Sequence, residues 1–173
     1  GQAGQPARWT AISIDGWLGG RIRSMTEDRH GRLWVGGDNG NVAFGSDTTP
    51  FTRWSSANGV KGATVTALQA DRTGGVWLGF NGAGLQQWIG EEWSHRTFWT
   101  SGHDTDSMFT FNLTPTSDGG FLAAVFSRGV LKWDGRTMKA FGRNEGITED
   151  VRCAVEAFPG VIWVGGRQAL FES

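Results

Sequence analysis

The stretch that most constrains this chain is Asp28-Arg29-His30-Gly31-Arg32-Leu33-Trp34-Val35-Gly36, because it recurs. It returns as Asp71-Arg72-Thr73-Gly74-Gly75-Val76-Trp77-Leu78-Gly79 and, more loosely, as Thr116-Ser117-Asp118-Gly119-Gly120-Phe121-Leu122-Ala123-Ala124. The fourth copy is Ala157-Phe158-Pro159-Gly160-Val161-Ile162-Trp163-Val164-Gly165. The anchors Trp34, Trp77, Leu122 and Trp163 stand 43, 45 and 41 residues apart. A second marker keeps the same period. Gly16, Gly59, Gly102 and Gly146, at steps of 43, 43 and 44, each precede an alternating apolar segment that begins near Ile22, Val65, Met108 or Val151. Two independent markers with one period define a repeat architecture, in which each copy buries its apolar faces against its neighbours.

Each copy reads as four short strands. In the first, 22–27 alternates between apolar and polar residues, 28–31 is a turn with Asp at its start and Gly at a positive-φ position, and 33–35 is a continuous apolar strand. After the turn 36–40 come strands at 42–44 and 51–54. The second copy has strands at 65–70, 76–78, 85–88 and 93–98, and the third at 108–113, 120–125, 130–133 and 137–141. The fourth has 151–157, 161–164 and 169–171 but no fourth strand. Residues 8–13, with Arg8-Trp9-Thr10, look like the outer-strand segments Thr52-Arg53-Trp54 and Trp93-Ser94-His95. They are therefore expected to complete the fourth copy and close the ring. No segment sustains a 3.6-residue period, so helix should be nearly absent.

Four-stranded units of this length predict an all-β fold: a β-propeller of four four-stranded antiparallel blades in one domain, 1–173. The blades fall at about 21–55, 63–99, 107–142 and 150–173, the last completed by 8–13. Either a small closed ring with an N-terminal closing strand or a fragment of a larger propeller satisfies this pattern. Trp34, Trp77 and Trp163 are expected to fill the space between blades.

The 28 glycines among 173 residues demand many tight turns. A net charge of -1 gives no electrostatic ground for binding nucleic acid or an anionic membrane. No run approaches the ~18 apolar residues of a membrane helix. Cys153 is the one cysteine and, within a strand, is expected to be a buried thiol. The first eight residues show no basic n-region or apolar h-region, and the sequence has no initiator Met, as expected of a mature product or part of a longer chain.

The repeats resemble the two-component regulator propeller repeat, whose pattern runs through a Gly-Leu-like pair, an alternating strand, Asp-x-x-Gly-x-Leu-Trp-[Val/Ile]-Gly and a Gly-Leu strand. Asp15-Gly16-Trp17, Arg21 to Met25 and Asp28 to Gly36 meet it, as do Asn58-Gly59-Val60, Val65 to Gly79 and Gly84-Leu85. The fourth copy keeps Glu145-Gly146-Ile147 and Ile162-Trp163-Val164-Gly165 but has Ala157 at the turn Asp, and the third has Leu122 for Trp and Ala124 for Gly. The resemblance implies a ligand-sensing propeller in the bacterial periplasm or on the cell surface, upstream of a histidine kinase or diguanylate cyclase and often responsive to oligosaccharides. Further blades or a signalling domain in the full-length protein are implied partners, with no cofactor.

No catalytic constellation emerges from the residues. His30 sits in a turn where any polar residue serves, and His95 lies on an outer strand. His103-Asp104-Thr105-Asp106 has metal-ligand chemistry, but solvated loop polarity is the better account of it, and no HExxH, Cys-x-x-Cys or calcium-loop spacing occurs. Propeller topology instead brings the loops from outer to inner strand and from second to third strand onto one face. Residues there that differ from their counterparts in other copies are the ligand-binding candidates. They are Trp17, Arg21, His103, Asp104, Asp106, Glu149 and Asp150 in the first loop set, and Asp38, Asn39, Asn81, Arg128 and Arg167 in the second, with Arg23 and Arg152 at strand starts. An aromatic ring with planar polar groups suits a saccharide. The leading expectation is a non-enzymatic sensor of a small molecule such as an oligosaccharide. The rivals are a protein–protein interaction scaffold and a propeller lyase or hydrolase; a propeller lyase of cyclic peptide antibiotics has similar Trp-Gly repeats.

Overall fold

A computed structural model of the chain describes residues 9–13, 18–62, 64–90, 92–95 and 108–173. Four antiparallel sheets follow one another along the sequence. The first contains β1 (Ile22–Glu27), β2 (Leu33–Gly37), β3 (Val42–Gly45) and β4 (Thr52–Trp54). The second contains β5 (Val65–Ala70), β6 (Val76–Phe80), β7 (Leu85–Ile89) and β8 (Glu92–His95), and the third β9 (Thr110–Pro115), β10 (Phe121–Val125), β11 (Gly129–Trp133) and β12 (Met138–Phe141). The fourth has three strands, β13 (Cys153–Phe158), β14 (Val161–Gly165) and β15 (Leu170–Glu172). Among the described residues the helical elements are single 3-10 turns at Ser56–Asn58 and Arg143–Glu145. The first strands of the sheets, β1, β5, β9 and β13, pack side by side in order, which is the radial plan of a β-propeller.

The recurring Asp explains why the repeat folds as it does. The Asp28 carboxylate accepts hydrogen bonds from the backbone N–H groups of His30 and Arg32, closing the β1–β2 turn, and from the Trp34 indole Nε1 at 2.8 Å. Asp71 repeats this with the backbone of Thr73 and Gly75 and with Trp77 Nε1 at 2.7 Å. One buried carboxylate thus shapes the turn and orients the indole that fills the next blade boundary. Trp34 and Trp77 are wholly buried. Trp34 stacks on Phe44 at 4.6 Å between centroids and meets Trp88 of the second blade at 5.1 Å, while Trp77 meets Phe121 and Trp133 of the third.

The glycine that ends each Trp strand has a separate purpose. A Cβ on Gly36 would lie 2.5 Å from Val65 Cγ1, and one on Gly79 would lie 2.7 Å from Thr110 Cγ2. Those two glycines let neighbouring inner strands approach. Hydroxyl groups then tie the strands together at close to the repeat period. Ser24 Oγ accepts from the Leu68 N–H at 2.9 Å, Thr26 Oγ1 accepts from the Ala70 N–H, and Thr66 Oγ1 donates to the Thr110 carbonyl at 2.6 Å.

The fourth blade departs from expectation. It has three strands among the described residues, and residues 9–13 pair with no sheet, Trp9 standing 95% exposed. No contact comparable to β1–β5 joins β13 to β1, and β15 pairs with β14 alone among the described strands. Trp163 is half-exposed rather than enclosed, because among the described residues no further sheet covers the face that encloses Trp34 and Trp77. In the third blade the inner strand runs 110–115, two residues later than its pattern indicates. The outer strand expected at 93–98 is β8 over 92–95, and 96–98 lie outside the described residues.

Candidate functional site

The loops between second and third strands begin at one repeat position, held by Asp38, Asn81, Phe126 and Arg167, each four residues after its anchor. In the first two blades that position forms a backbone bridge to the next blade, Asp38 to Thr64 and Asn81 to Phe109. In the third, the Phe126 N–H donates to the Phe109 carbonyl at 2.9 Å within its own blade. In all three the loop backbone is pinned, and in the exposed cases the side chain is left to vary.

The candidates separate into two groups. On the first blade, Asp38 Oδ1 accepts from Arg23 Nε at 2.9 Å and its Oδ2 from the Arg21 N–H at 3.3 Å. These bonds, Arg23 first, hold the Asp38 carboxyl below the usual carboxylate range. Asn39 adopts φ 63°, and its amide donates to the Gly19 carbonyl at 3.0 Å. This group is satisfied internally and shapes its own loop.

The second group sits where the third and fourth blades meet. The Arg152 guanidinium carbon lies 4.7 Å from the Phe111 ring centroid and 5.2 Å from that of Phe126. Phe109 packs on Phe111 at 4.6 Å, and Phe111 meets Phe126 edge-on at 6.1 Å. Asp150 Oδ1 accepts from the Ser127 hydroxyl at 3.1 Å, and Ser127 adopts φ 57° in the same tight loop. The Arg128 N–H closes that loop onto the Val125 carbonyl. Arg152 and Phe126 are exposed, and Phe109, Phe111 and Asp150 are half-buried, so a stacked aromatic and cationic surface faces solvent.

Glu149 is not available to a ligand. Its Oε2 accepts from the N–H groups of Gln168 at 2.7 Å and Ala169 at 3.1 Å, fixing the loop that carries the exposed Arg167. Trp17, His103, Asp104 and Asp106 lie outside the described residues. Cys153, expected as a buried thiol, is exposed, since its face of the fourth blade is uncovered. Among the described residues no cluster of three or more His, Cys, Asp or Glu side chains is placed to hold a metal ion.

The sequence reading passed over Phe109, Phe111 and Phe126, although the signal was present. Phe111 occupies the repeat position of Arg23, Thr66 and Arg152, and Phe126 that of Asp38, Asn81 and Arg167. Both differ from their counterparts, the criterion that selected the polar candidates. A separate cleft of about 460 Å³ lies beneath the connection through Gly146 and Ile147 and is lined mostly by apolar side chains such as Val130, Phe141 and Phe171. At this boundary Leu122 stands where the first two boundaries hold Trp34 and Trp77, and Ser173 where the neighbouring blades hold Trp88 and Trp133.

Comparison with known proteins agrees with the repeat. Residues 16–39 match the two component regulator propeller family model. The extracellular domain of a hybrid two component system of B. thetaiotaomicron, BT3049, superposes with a TM-score of 0.65 at 17% identity over 86% of this chain and 21% of that one. The extracellular domain of the one component system BT4673 of the same organism gives 0.59 at 16% identity over 88% and 23%. The WD40 β-propeller domain of Doa1 gives 0.57 at 17% identity over 87% and 50%. The chain therefore spans between about a fifth and a half of the structures it resembles. No curated protein matches it in sequence.

Proposed function

We infer, for a chain whose residues 16–39 are a two component regulator propeller repeat, that it forms part of the input module of a bacterial signalling protein and binds a small molecule there. The ligand class is an oligosaccharide, and the site is the junction of the third and fourth blades. The observation that carries this reading is the Arg152 guanidinium over the Phe111 and Phe126 rings, with Asp150 beside them. Apolar C–H faces of a sugar stack on aromatic rings, while hydroxyl pairs suit a planar guanidinium and a carboxylate. On this reading the module binds its ligand without turning it over. Its position is periplasmic or at the cell surface, as for the extracellular domains it resembles, and no helix among the described residues is long and apolar enough to cross a membrane.

Within this site the residues divide the work. Phe111 and Phe126 supply the platform and Arg152 the bidentate donors. Asp150 accepts hydroxyls, and Ser127 and Arg128 hold the loop that presents Phe126. A ligand seated there touches two blades at once, so its binding energy couples their relative position, which is the property an input domain requires.

The test is a thermal-shift screen of defined oligosaccharides followed by calorimetry. A saccharide present at 100 times its Kd should add about 2.7 kcal/mol to stability. Arg152→Ala and Phe126→Ala should each weaken binding at least about tenfold. Unchanged affinity in both variants would place the site elsewhere, and no shift with any saccharide would overturn the ligand class.

A further inference from the structure

The boundary between the first and second blades opens into a cleft of about 610 Å³, at the strand ends opposite the loops of the candidate site. The β1–β2 turn contributes Arg29, His30 and Arg32, and the β3–β4 connection Ser46, Thr48 and Thr49. The second blade closes it with Gly74 and Trp88. Among the described residues no carboxylate lines it. The basic residues are departures from the repeat. Where the first copy has Arg29, His30 and Arg32, the second has Arg72, Thr73 and Gly75, and the third Ser117, Asp118 and Gly120.

The donors of this cleft are held in place and left without acceptors. Arg72, one blade on, is occupied: its Nη2 donates to the Asp134 carbonyl at 3.1 Å. Arg29 lies across the boundary against Gly74, where a Cβ would sit 2.8 Å from its Nε, and that Nε donates to His30 Nε2 at 3.3 Å. Its Nη groups have no acceptor among the described residues, and no carboxylate there pairs with it. Arg32 Nε donates to Asp28 Oδ2 at 2.7 Å, and its guanidinium carbon lies 5.1 Å from the Trp88 ring centroid and 5.6 Å from that of Phe44. Its Nη donors are thus preorganised. At the next boundary, Asp71 Oδ2 accepts from Trp133 Nε1 of the following blade. Here Arg32 and Trp34 take Asp28 Oδ2, and Trp88 Nε1, at the position of Trp133, is buried with no acceptor among the described residues. In the β3–β4 connection, Ser46 Oγ lies 3.1 Å from Thr48 Oγ1 and 2.8 Å from Thr49 Oγ1 and accepts from both backbone N–H groups. The three hydroxyl protons share two mutual contacts, so at least one is left to donate outward.

We propose that this cleft binds a tetrahedral oxyanion, a phosphate or sulfate group, with Arg29 and Arg32 as its charged donors and the Ser46–Thr49 connection supplying a hydroxyl. Planar guanidinium groups engage such oxygens in pairs, and a tetrahedral group has acceptors enough for donors arriving from two walls of a cleft. The volume exceeds that of the bare ion, so the sugar of a phosphate or sulfate ester also fits. The site lies on the face opposite the proposed saccharide site, joins the first two blades rather than the last two, and does not depend on that reading.

Calorimetry at constant ionic strength, balanced with sodium chloride, tests this on the chain itself. The probes are inorganic phosphate, inorganic sulfate, glucose 6-phosphate and glucose 6-sulfate. Saturable one-to-one binding is expected. Equal affinity for ion and ester assigns the free ion as occupant, and tighter esters assign the sugar-borne group; both results support the site. Arg29→Gln, at an exposed position, should weaken binding at least about tenfold, the loss of one charged hydrogen-bonding group. Arg72→Gln removes the same charge one blade on and should leave affinity within about twofold, because that guanidinium already serves the Asp134 carbonyl. Circular dichroism melts register that both variants fold. No saturable binding of any probe overturns the proposal. So does an equal loss in Arg29→Gln and Arg72→Gln, which would make the attraction one of diffuse charge. Loss of oxyanion binding in Arg152→Ala, on the opposite face, would also overturn it by placing the ion at the third and fourth blades.

Discussion

The bond between Asp71 and Trp77 should be separable from the packing of the Trp77 ring. The indole is wholly buried, meets Phe121 and Trp133 at 5.1 Å, and donates to Asp71 Oδ2 at 2.7 Å. Trp77→Ala removes the ring and leaves a cavity between the second and third blades, at a cost of about 3–5 kcal/mol. It also removes a hydrogen bond to a buried carboxylate, worth about 1.5–3 kcal/mol. Trp77→Phe keeps one aromatic ring and deletes the N–H together with part of the indole's buried bulk. Asp71 Oδ2 then retains Gln87 Nε2 and Trp133 Nε1, each at 3.3 Å, so the hydrogen-bond part of the loss should fall near the low end, about 1.5 kcal/mol, and the smaller ring adds a cavity cost below that of Trp77→Ala.

Urea unfolding followed by far-ultraviolet circular dichroism, at one fixed protein concentration, reads both values without relying on the deleted fluorophore. With a urea slope of about 2 kcal/mol/M, Trp77→Phe should move the midpoint down by at least about 0.7 M and Trp77→Ala by considerably more. If Trp77→Phe is indistinguishable from wild type, the carboxylate does not hold the indole. If Trp77→Phe is as damaging as Trp77→Ala, the ring contributes nothing beyond its N–H, and the account of the blade boundary is wrong.

Gly36→Ala should cost about 1–3 kcal/mol by urea titration, since its Cβ meets buried, short, branched Val65, which has no room to swing aside. Stability should also fall in acid. At Asp28, burial alone would raise the pKa, but hydrogen bonds led by the Trp34 indole outweigh it and hold the carboxyl below its usual range. Asp118 is lowered by Thr116 and the Gly120 N–H, and Asp134 is lowered to about 2 by the backbone of Thr137 and Arg136. A carboxyl depressed on folding stabilises the protein above its unfolded pKa and loses that contribution as pH falls through the folded one. Tm should therefore be level above about pH 5 and fall from about pH 4 toward pH 2, less steeply in Asp28→Asn. A Tm that instead falls between pH 8 and 6 would point to groups other than these carboxylates.

How much was legible in advance follows from what a repeat encodes. The period and the strand order could be read because Trp34, Trp77 and Trp163 and the turn residues before them recur at nearly fixed spacing. The partner of the Trp N–H was hidden, because an Asp at a turn start already has a local reason to be there. The state of the ends was hidden for another reason. Trp163 and Gly165 have the same sequence context whether or not a neighbour covers them, so the sequence marks the interface without saying what fills it. Residues 8–13 looked like an outer strand by composition alone, and composition carries no information on whether the fourth blade is within reach.

The candidate site shows why departures from a repeat concentrate at one place. At the position of Asp38, Asn81, Phe126 and Arg167, the backbone has work that is independent of side chain: Asp38 and Asn81 bridge to the following blade, and Phe126 bonds to the Phe109 carbonyl. Selection on the fold therefore acts on the peptide groups and leaves the side chain open. In the inner strand, Arg23, Thr66, Phe111 and Arg152 share one register and differ in side chain, Thr66 alone tying its strand to the next by its hydroxyl. At the third and fourth blades these two free positions adjoin, and there they hold Phe126, Phe111 and Arg152 in mutual contact. At the first blade they hold Asp38 and Arg23, which neutralise each other. The scaffold thus offers one such pair of positions per blade, and the third blade's exposed aromatic pair meets Arg152 of the fourth. One substitution gives the decisive comparison: Phe126→Asp should bring a carboxylate within reach of Arg152, neutralise it as Asp38 neutralises Arg23, and abolish saccharide binding while leaving the unfolding free energy within about 0.5 kcal/mol of wild type, as expected for an exposed position. Retained binding in Phe126→Asp would show that the platform is not what receives the ligand.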